Sequence, residues 1–167
     1  MKVLPPETVL IIALAIPGVA PIGGCASSPK GGTRANHQSE VAQIEHRLQQ
    51  IFDACAKKDM PRLDSYHLYG PAFTKFTTEQ AGRLDSESAR KGEHDGLTAI
   101  SGLAMQADDL KIDVFDDTAI AAFILNYSFK AGADTVQKKT RTTMVFVKDD
   151  GAWKIVHEHL SAIQPRP

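Results

Sequence analysis

Cysteine is scarce in this chain: of 167 residues only Cys25 and Cys55 carry a thiol, too few for a disulfide framework. Excess charge is also missing. Lys and Arg number 19 against 20 Asp and Glu, a formal net charge of -1, so no basic field exists to gather nucleic acid, which is not an expected partner. A long hydrophobic run is absent as well. The apolar stretch from Thr8 to Ile16 is broken by Pro17, Gly18 and Pro21, short of the roughly 20 apolar residues that a spanning helix needs. The length allows one ordinary globular domain plus a short extra segment.

That segment lies at the amino end. Lys2, the run from Thr8 to Ile16 and the sequence Ile22-Gly23-Gly24-Cys25 have the outline of an export signal. Small residues before a cysteine resemble the lipobox of bacterial lipoproteins, with Ile22 where Leu is commoner and Glu7 beside Lys2 in the first region. The resemblance implies a signal peptide over residues 1–24, lipidation of Cys25, and an exported, membrane-anchored lipoprotein at the bacterial cell envelope. Residues 25–38 have almost nothing to bury and read as a flexible tether in which His37 is solvated. Cys55 reads as a small buried apolar side chain.

Order is expected from Ser39, a helix N-cap followed by Val41, Ile44, Leu48, Ile51, Phe52 and Cys55 at helical spacing. Asp59-Met60-Pro61 starts a second helix carrying Leu63, Tyr66 and His67, stopped by Gly70-Pro71. Phe73 to Phe76 suits a short strand. Asp85 to about Ser101 suits a third helix with Ala89, Leu97 and Ile100 as its thin apolar side and His94 in solvent. The period then changes. Leu110 to Phe115 alternates, Asp116-Asp117 makes a turn, and runs over Ile120–Phe129, about Thr135–Lys148 and Trp153–Ser161 read as strands. Helices followed by an antiparallel meander define an α+β domain over residues 39–163, leaving 164–167 as a tail.

Residues Arg141 to Ser161, which contain Arg-x-Thr at 141–143, Asp-Gly-x-Trp at 150–153 and His-x-Ser at 159–161, resemble the carboxy-terminal hairpin of SnoaL-like proteins of the nuclear-transport-factor-2-like group, of the DUF4440 type. The segment Tyr66 to Phe76 is similar to one found in part of that family. The resemblance covers roughly Glu40 to Ile163. It implies a cone of about three helices packed on a strongly curved sheet, a pocket between them, and a homodimer. The family includes isomerases, dehydratases, polyketide cyclases and kinase association domains, so fold alone says little about chemistry.

Spacing within the hairpin gives an independent expectation. A three-residue loop at Asp149-Asp150-Gly151 pairs Lys148 with Ala152, Arg141 with His159 and Thr143 with His157, all four on one face. Facing the cone, this patch binds a small apolar or anionic ligand, with Tyr66 or Tyr69 arriving from the second helix and Trp153 as core or pocket wall. A register one residue away instead sets Arg141 against Glu158 in an ordinary ion pair. The pair His157-x-His159 lacks a carboxylate or cysteine at motif spacing, so neither a metal nor another cofactor is expected.

Two functions follow. A ligand-binding or partner-binding module needs no base. An isomerase, dehydratase or cyclase type of enzyme would use His159 as acid or base and Arg141 as the anion or oxyanion contact. Asp113 alternates toward solvent and Asp64 reads as helix surface, so no carboxylate is expected to serve as an interior base, and the module is the favoured reading.

Overall fold

The computed structural model describes residues 34–163. The segment expected to be a signal peptide, Cys25 and the tail at 164–167 lie outside the described residues. Eight elements follow one another: α1 (Arg34–Lys57), α2 (Met60–Ser65), β1 (Thr74–Phe76), α3 (Ser86–Ala99), β2 (Ser101–Phe115), β3 (Thr118–Ala131), β4 (Asp134–Asp149) and β5 (Ala152–Ala162). The helices pack on a sheet of order β1-β5-β4-β3-β2, in which β2 to β5 form the antiparallel meander and β1 joins β5 in parallel.

Helix α1 starts five residues ahead of Ser39, inside the stretch expected to be a tether. Asn36 to Ser39 are exposed, so these residues are helical by extension of a formed helix, which adds one hydrogen bond per residue fixed, and not by burial. From Ile44 onward the expected stripe is the buried one: Ile44, Leu48, Ile51, Phe52 and Cys55 enter a core with Ala119, Ala121, Phe123, Met144, Phe146, Trp153 and Ile155 from the sheet. Phe52 meets Phe123 edge to face at 6.4 Å. The side chains of Asp59 and Asp85 cap α2 and α3 by accepting the Arg62 and Ser88 backbone N–H groups.

The sheet bends because its long strands carry extra residues. β2 shifts register between Ser101 and Ala104 and between Asp108 and Lys111, with Gly102 and Asp109 in the left-handed region at φ 60° and 52°. β5 carries a third irregularity. Phe146 pairs with Ile155, but the next partner of Val145 is His157, leaving Val156 as the extra residue of a bulge. The turn before it is also tighter than expected. Asp149 pairs with Ala152 around a two-residue turn, Asp150 and Gly151, both at positive φ (48° and 77°), which matches the twist of the flanking strands.

Candidate functional site

The bulge at Val156 decides which side chains of β5 face inward. Along an unbroken strand, the buried positions Trp153 and Ile155 would continue to 157 and 159. The extra residue reverses the alternation, and Glu158, 3% exposed, turns into the core while His157 and His159 turn out. Arg141, Thr143, His157 and His159 therefore share one face as expected, but it is the face away from the core, and the pairing is shifted too. Thr143 lies opposite His159, Val145 opposite His157, and Arg141 opposite Ser161, so neither anticipated register is the observed one. Exposed Arg141 donates from Nη1 to the Ala162 carbonyl at 3.3 Å. His157 Nδ1 and Thr74 Oγ1 are 2.7 Å apart, and the Phe76 ring lies 5.6 Å from that of His159.

Tyr66 is buried between two arginines, accepting from Arg62 Nε at 2.6 Å with the Arg47 guanidinium 4.5 Å above its ring. Trp153 is a core residue with Lys148 4.8 Å over its ring. Of the expected site residues, Tyr69 is the one that reaches an interior polar cluster.

That cluster gathers side chains from four segments. The end of α2 delivers His67, since Leu68 N donates to Ile155 O and Ile155 N donates to Tyr66 O, stitching residues 66–69 to β5. Gly70 is clamped by Ser86 Oγ, and the chain then runs through buried Phe73 into β1. There Lys75 stands directly opposite Glu158 in the parallel pair. Glu93 comes from α3. Lys75 Nζ lies 2.6 Å from Glu93 Oε1 and 2.6 Å from Glu158 Oε2, the second an ion pair without hydrogen-bond alignment. Tyr69 OH donates to Glu93 Oε2 at 3.0 Å, and the Tyr69 ring stacks on His67 with centroids 4.9 Å apart.

Burial opposes the charge on Lys75, yet the Glu158 and Glu93 carboxylates outweigh it and raise the Lys75 pKa above its ordinary value. Burial likewise favours a neutral Glu158, but the Lys75 ammonium and then His67 hold it well below the usual carboxylate range. The Tyr69 phenol is pushed far up by burial and then by the charge of Glu93. Cys55, beside the cluster, has its thiol pushed up to about 12, mainly by burial.

His67 completes the charge balance. Its Nδ1 is 3.0 Å from the Leu63 carbonyl, which only accepts, so Nδ1 donates. In a neutral ring Nε2 would then point a lone pair at two carboxylate oxygens, Glu158 Oε2 at 3.7 Å and Glu93 Oε2 at 3.9 Å. A proton on Nε2 removes that repulsion and sets two cations against two anions. Burial works against it, but the charges of Glu158 and Glu93 and the Leu63 carbonyl win, and the His67 pKa is raised. A raised folded pKa contributes stability that is complete below about pH 6.5, the unfolded value, and is lost as pH rises through the folded one. Urea unfolding between pH 6 and 9 is expected to show this loss in the wild type and not in His67→Gln; identical slopes would refute the imidazolium.

His67, Glu93 and Glu158 present ligand atoms within 4.8 Å of one another, a spacing that a metal ion could bridge. The Lys75 ammonium already supplies a cation to both glutamates, so the donor set is matched to a tethered lysine and does not fit a divalent ion as it stands.

Next to the cluster opens a cavity of about 410 Å³. Leu84, Leu97, Leu103, Met105, Leu125 and Phe129 are among its apolar walls, Thr77 to Gln80 lie along it, and Lys75 and Glu93 bring the polar cluster to it. Pockets of this size and lining suit small molecules. The interior carboxylates were not expected from sequence. Glu93 did carry a signal, sitting midway between Ala89 and Leu97 on the apolar side of α3.

A cone of helices on a curved antiparallel sheet, with a cavity between them, defines a protein of the nuclear-transport-factor-2-like fold. The profile of the SnoaL-like domain matches residues 44–165, and the chain belongs to the SnoaL-like family. Among solved structures, it is similar to a proposed dehydratase of the NTF2-like family from Streptomyces avermitilis, at 17% identity and a TM-score of 0.70 over 77% of this chain and 99% of that one. An NTF2-like superfamily protein from Salmonella enterica gives 17% identity and a TM-score of 0.69 over 78% and 96% of the two chains. A proposed calcium/calmodulin-dependent kinase II association domain from Xanthomonas campestris gives 20% and 0.65 over 83% and 97%. At these identities the likeness is one of fold. Among curated protein sequences none matches this chain.

Proposed function

We propose that this protein is an envelope-anchored binding module that takes a small, mainly apolar molecule into its cone. The observation that carries this reading is the cavity of about 410 Å³ with apolar walls and the Lys75–Glu93 pair at one part of its lining. The export outline ending in Ile22-Gly23-Gly24-Cys25 supports the anchor, Cys25 being the lipidated residue.

Binding is favoured over catalysis by the state of the cluster. An acid or base works best with a pKa near the operating pH. Glu158 is held below the carboxylate range, while Lys75 and Tyr69 are pushed above their own, so these groups keep their protons or their charges. His67 is raised, but its side chain is 1% exposed and walled off from the cavity lining. The enzyme reading through His159 and Arg141 would have to work on the exposed face of the ribbon, away from that cavity. A homodimer is compatible with the kinase association domains among the similar folds.

Leu103→Trp places an indole in the cavity without touching the charge cluster. Binding of an apolar fluorophore such as 1-anilinonaphthalene-8-sulfonate's uncharged parent, N-phenyl-1-naphthylamine, is expected in the wild type and reduced about tenfold or more by that substitution, a loss of roughly 1.4 kcal/mol. Equal binding by both proteins would rule the cavity out as the ligand site.

A further inference from the structure

The polar end of the cavity selects what chemistry its ligand carries, an inference that rests on the binding reading above. Two features of the site bear on it. The first is charge. Lys75 and His67 set two cations against the carboxylates of Glu93 and Glu158, with Lys75 Nζ 2.6 Å from both glutamates. A ligand carboxylate would have to take the ammonium from carboxylates that already hold it, and would add a third anion to a buried site. A ligand ammonium would compete with Lys75 itself and add a third cation. Either ion brings an unbalanced charge against side chains that are themselves largely buried, where it is costly.

The second feature is hydrogen-bonding capacity. The ammonium of Lys75 has three protons; one goes to Glu93 Oε1, and Glu158 Oε2 is a close ion partner, which leaves at least one to give. Glu93 accepts from Lys75 on Oε1 and from Tyr69 on Oε2, and each carboxylate oxygen has a further lone pair. Both residues line the cavity. A donor and an acceptor thus stand side by side there, and the neutral ligand group that answers both is a hydroxyl. It accepts from Nζ while donating to Glu93.

We infer that the cavity binds a neutral, hydroxyl-bearing apolar molecule, an alcohol or phenol, with its hydroxyl seated between Lys75 and Glu93. Carboxylates and amines of the same skeleton are excluded by the balanced charges behind that pair. The anionic ligand that the sequence suggested through Arg141 and His159 is replaced by an uncharged one.

Four probes on one skeleton test this by isothermal titration at pH 7 with the full chain: 2-naphthalenemethanol, 2-methylnaphthalene, 2-naphthoate and 2-naphthylmethylammonium. The alcohol is expected to bind about tenfold or more tighter than each of the other three. Glu93→Gln is expected to shrink the alcohol's advantage over methylnaphthalene while leaving methylnaphthalene itself unchanged. If that variant does not fold, the ranking in the wild type alone decides. Naphthoate or the ammonium binding tightest, or methylnaphthalene matching the alcohol, would overturn the hydroxyl assignment while leaving the cavity reading intact. No binding by any probe would remove both.

Discussion

Replacing Lys75 by methionine is expected to destabilise the domain by about 3–5 kcal/mol at pH 7, the usual cost of removing one partner from a buried ion pair. For a domain of this size that lowers the melting temperature by on the order of 10–20 °C. The cause is specific: Glu158 is 3% exposed and Glu93 lies beside it, and without the ammonium their two charges face each other and His67 in the interior. The deficit should shrink as pH falls toward 5, because the stranded carboxylates then bind protons, whereas the wild type gains nothing comparable over that range. Removing the lysine and both glutamates together, as in Lys75→Met with Glu93→Leu and Glu158→Leu, should recover most of the loss, since His67 can then stay neutral and well-packed apolar replacements of buried ion pairs are often neutral or better. Urea denaturation at pH 7 and 5 measures each of these. A Lys75→Met protein within about 1 kcal/mol of wild type at pH 7 would mean that the cluster is solvated and not the closed, balanced unit described above.

Deleting Val156 is expected to leave the facing of β5 unchanged. Without the extra residue, Ile155, His157, Glu158 and His159 fall opposite Phe146, Val145, Met144 and Thr143 as they already do, so regular alternation keeps Glu158 inside, facing Lys75 across the β1–β5 pair, and both histidines outside. What is lost is the local bend and added twist of the bulge, at a cost of about 1–3 kcal/mol, and the protein should still show a cooperative melting transition by circular dichroism. Val156→Ala, which keeps the extra residue, should cost only about 1 kcal/mol. A deletion variant without a cooperative transition would show that Val156 is not a spare residue and that the register of β5 is set elsewhere.

The bulge also explains how far the sequence could be read. Element types and order were legible because they depend on periods that survive in one dimension. The stripe from Ile44 to Cys55 and the alternation from Leu110 to Phe115 fall within the observed α1 and β2. The hairpin face was not legible, because one added residue reverses a period of two. Val156 is itself a good strand former and carries no mark of its position. The loop was misjudged for a related reason: Asp149 belongs to the strand, and only the left-handed pair Asp150-Gly151 forms the turn.

The charge cluster was hidden in another way. Nothing local marks Lys75 as a partner of Glu158, which the sequence offers only as an ion pair with Arg141, and 83 residues separate Lys75 from Glu158. Only the parallel docking of a three-residue strand, Thr74–Phe76, brings them opposite each other. Glu93 between Ala89 and Leu97 was the one local hint, a carboxylate in the middle of an apolar stripe. His67 was recognised as part of α2's spacing, but its role depends on the two glutamates that complete its surroundings.

The account rests on ligand entering the interior of the cone and not the outer ribbon. The most direct test is a titration of the isotopically labelled protein with 2-naphthalenemethanol, followed by backbone amide NMR shifts. The shifts should concentrate at Glu93, Leu97, Leu103 and Leu125, around the cavity. Shifts confined to Arg141, Thr143, His157 and His159 would contradict it and return the binding site to the exposed face.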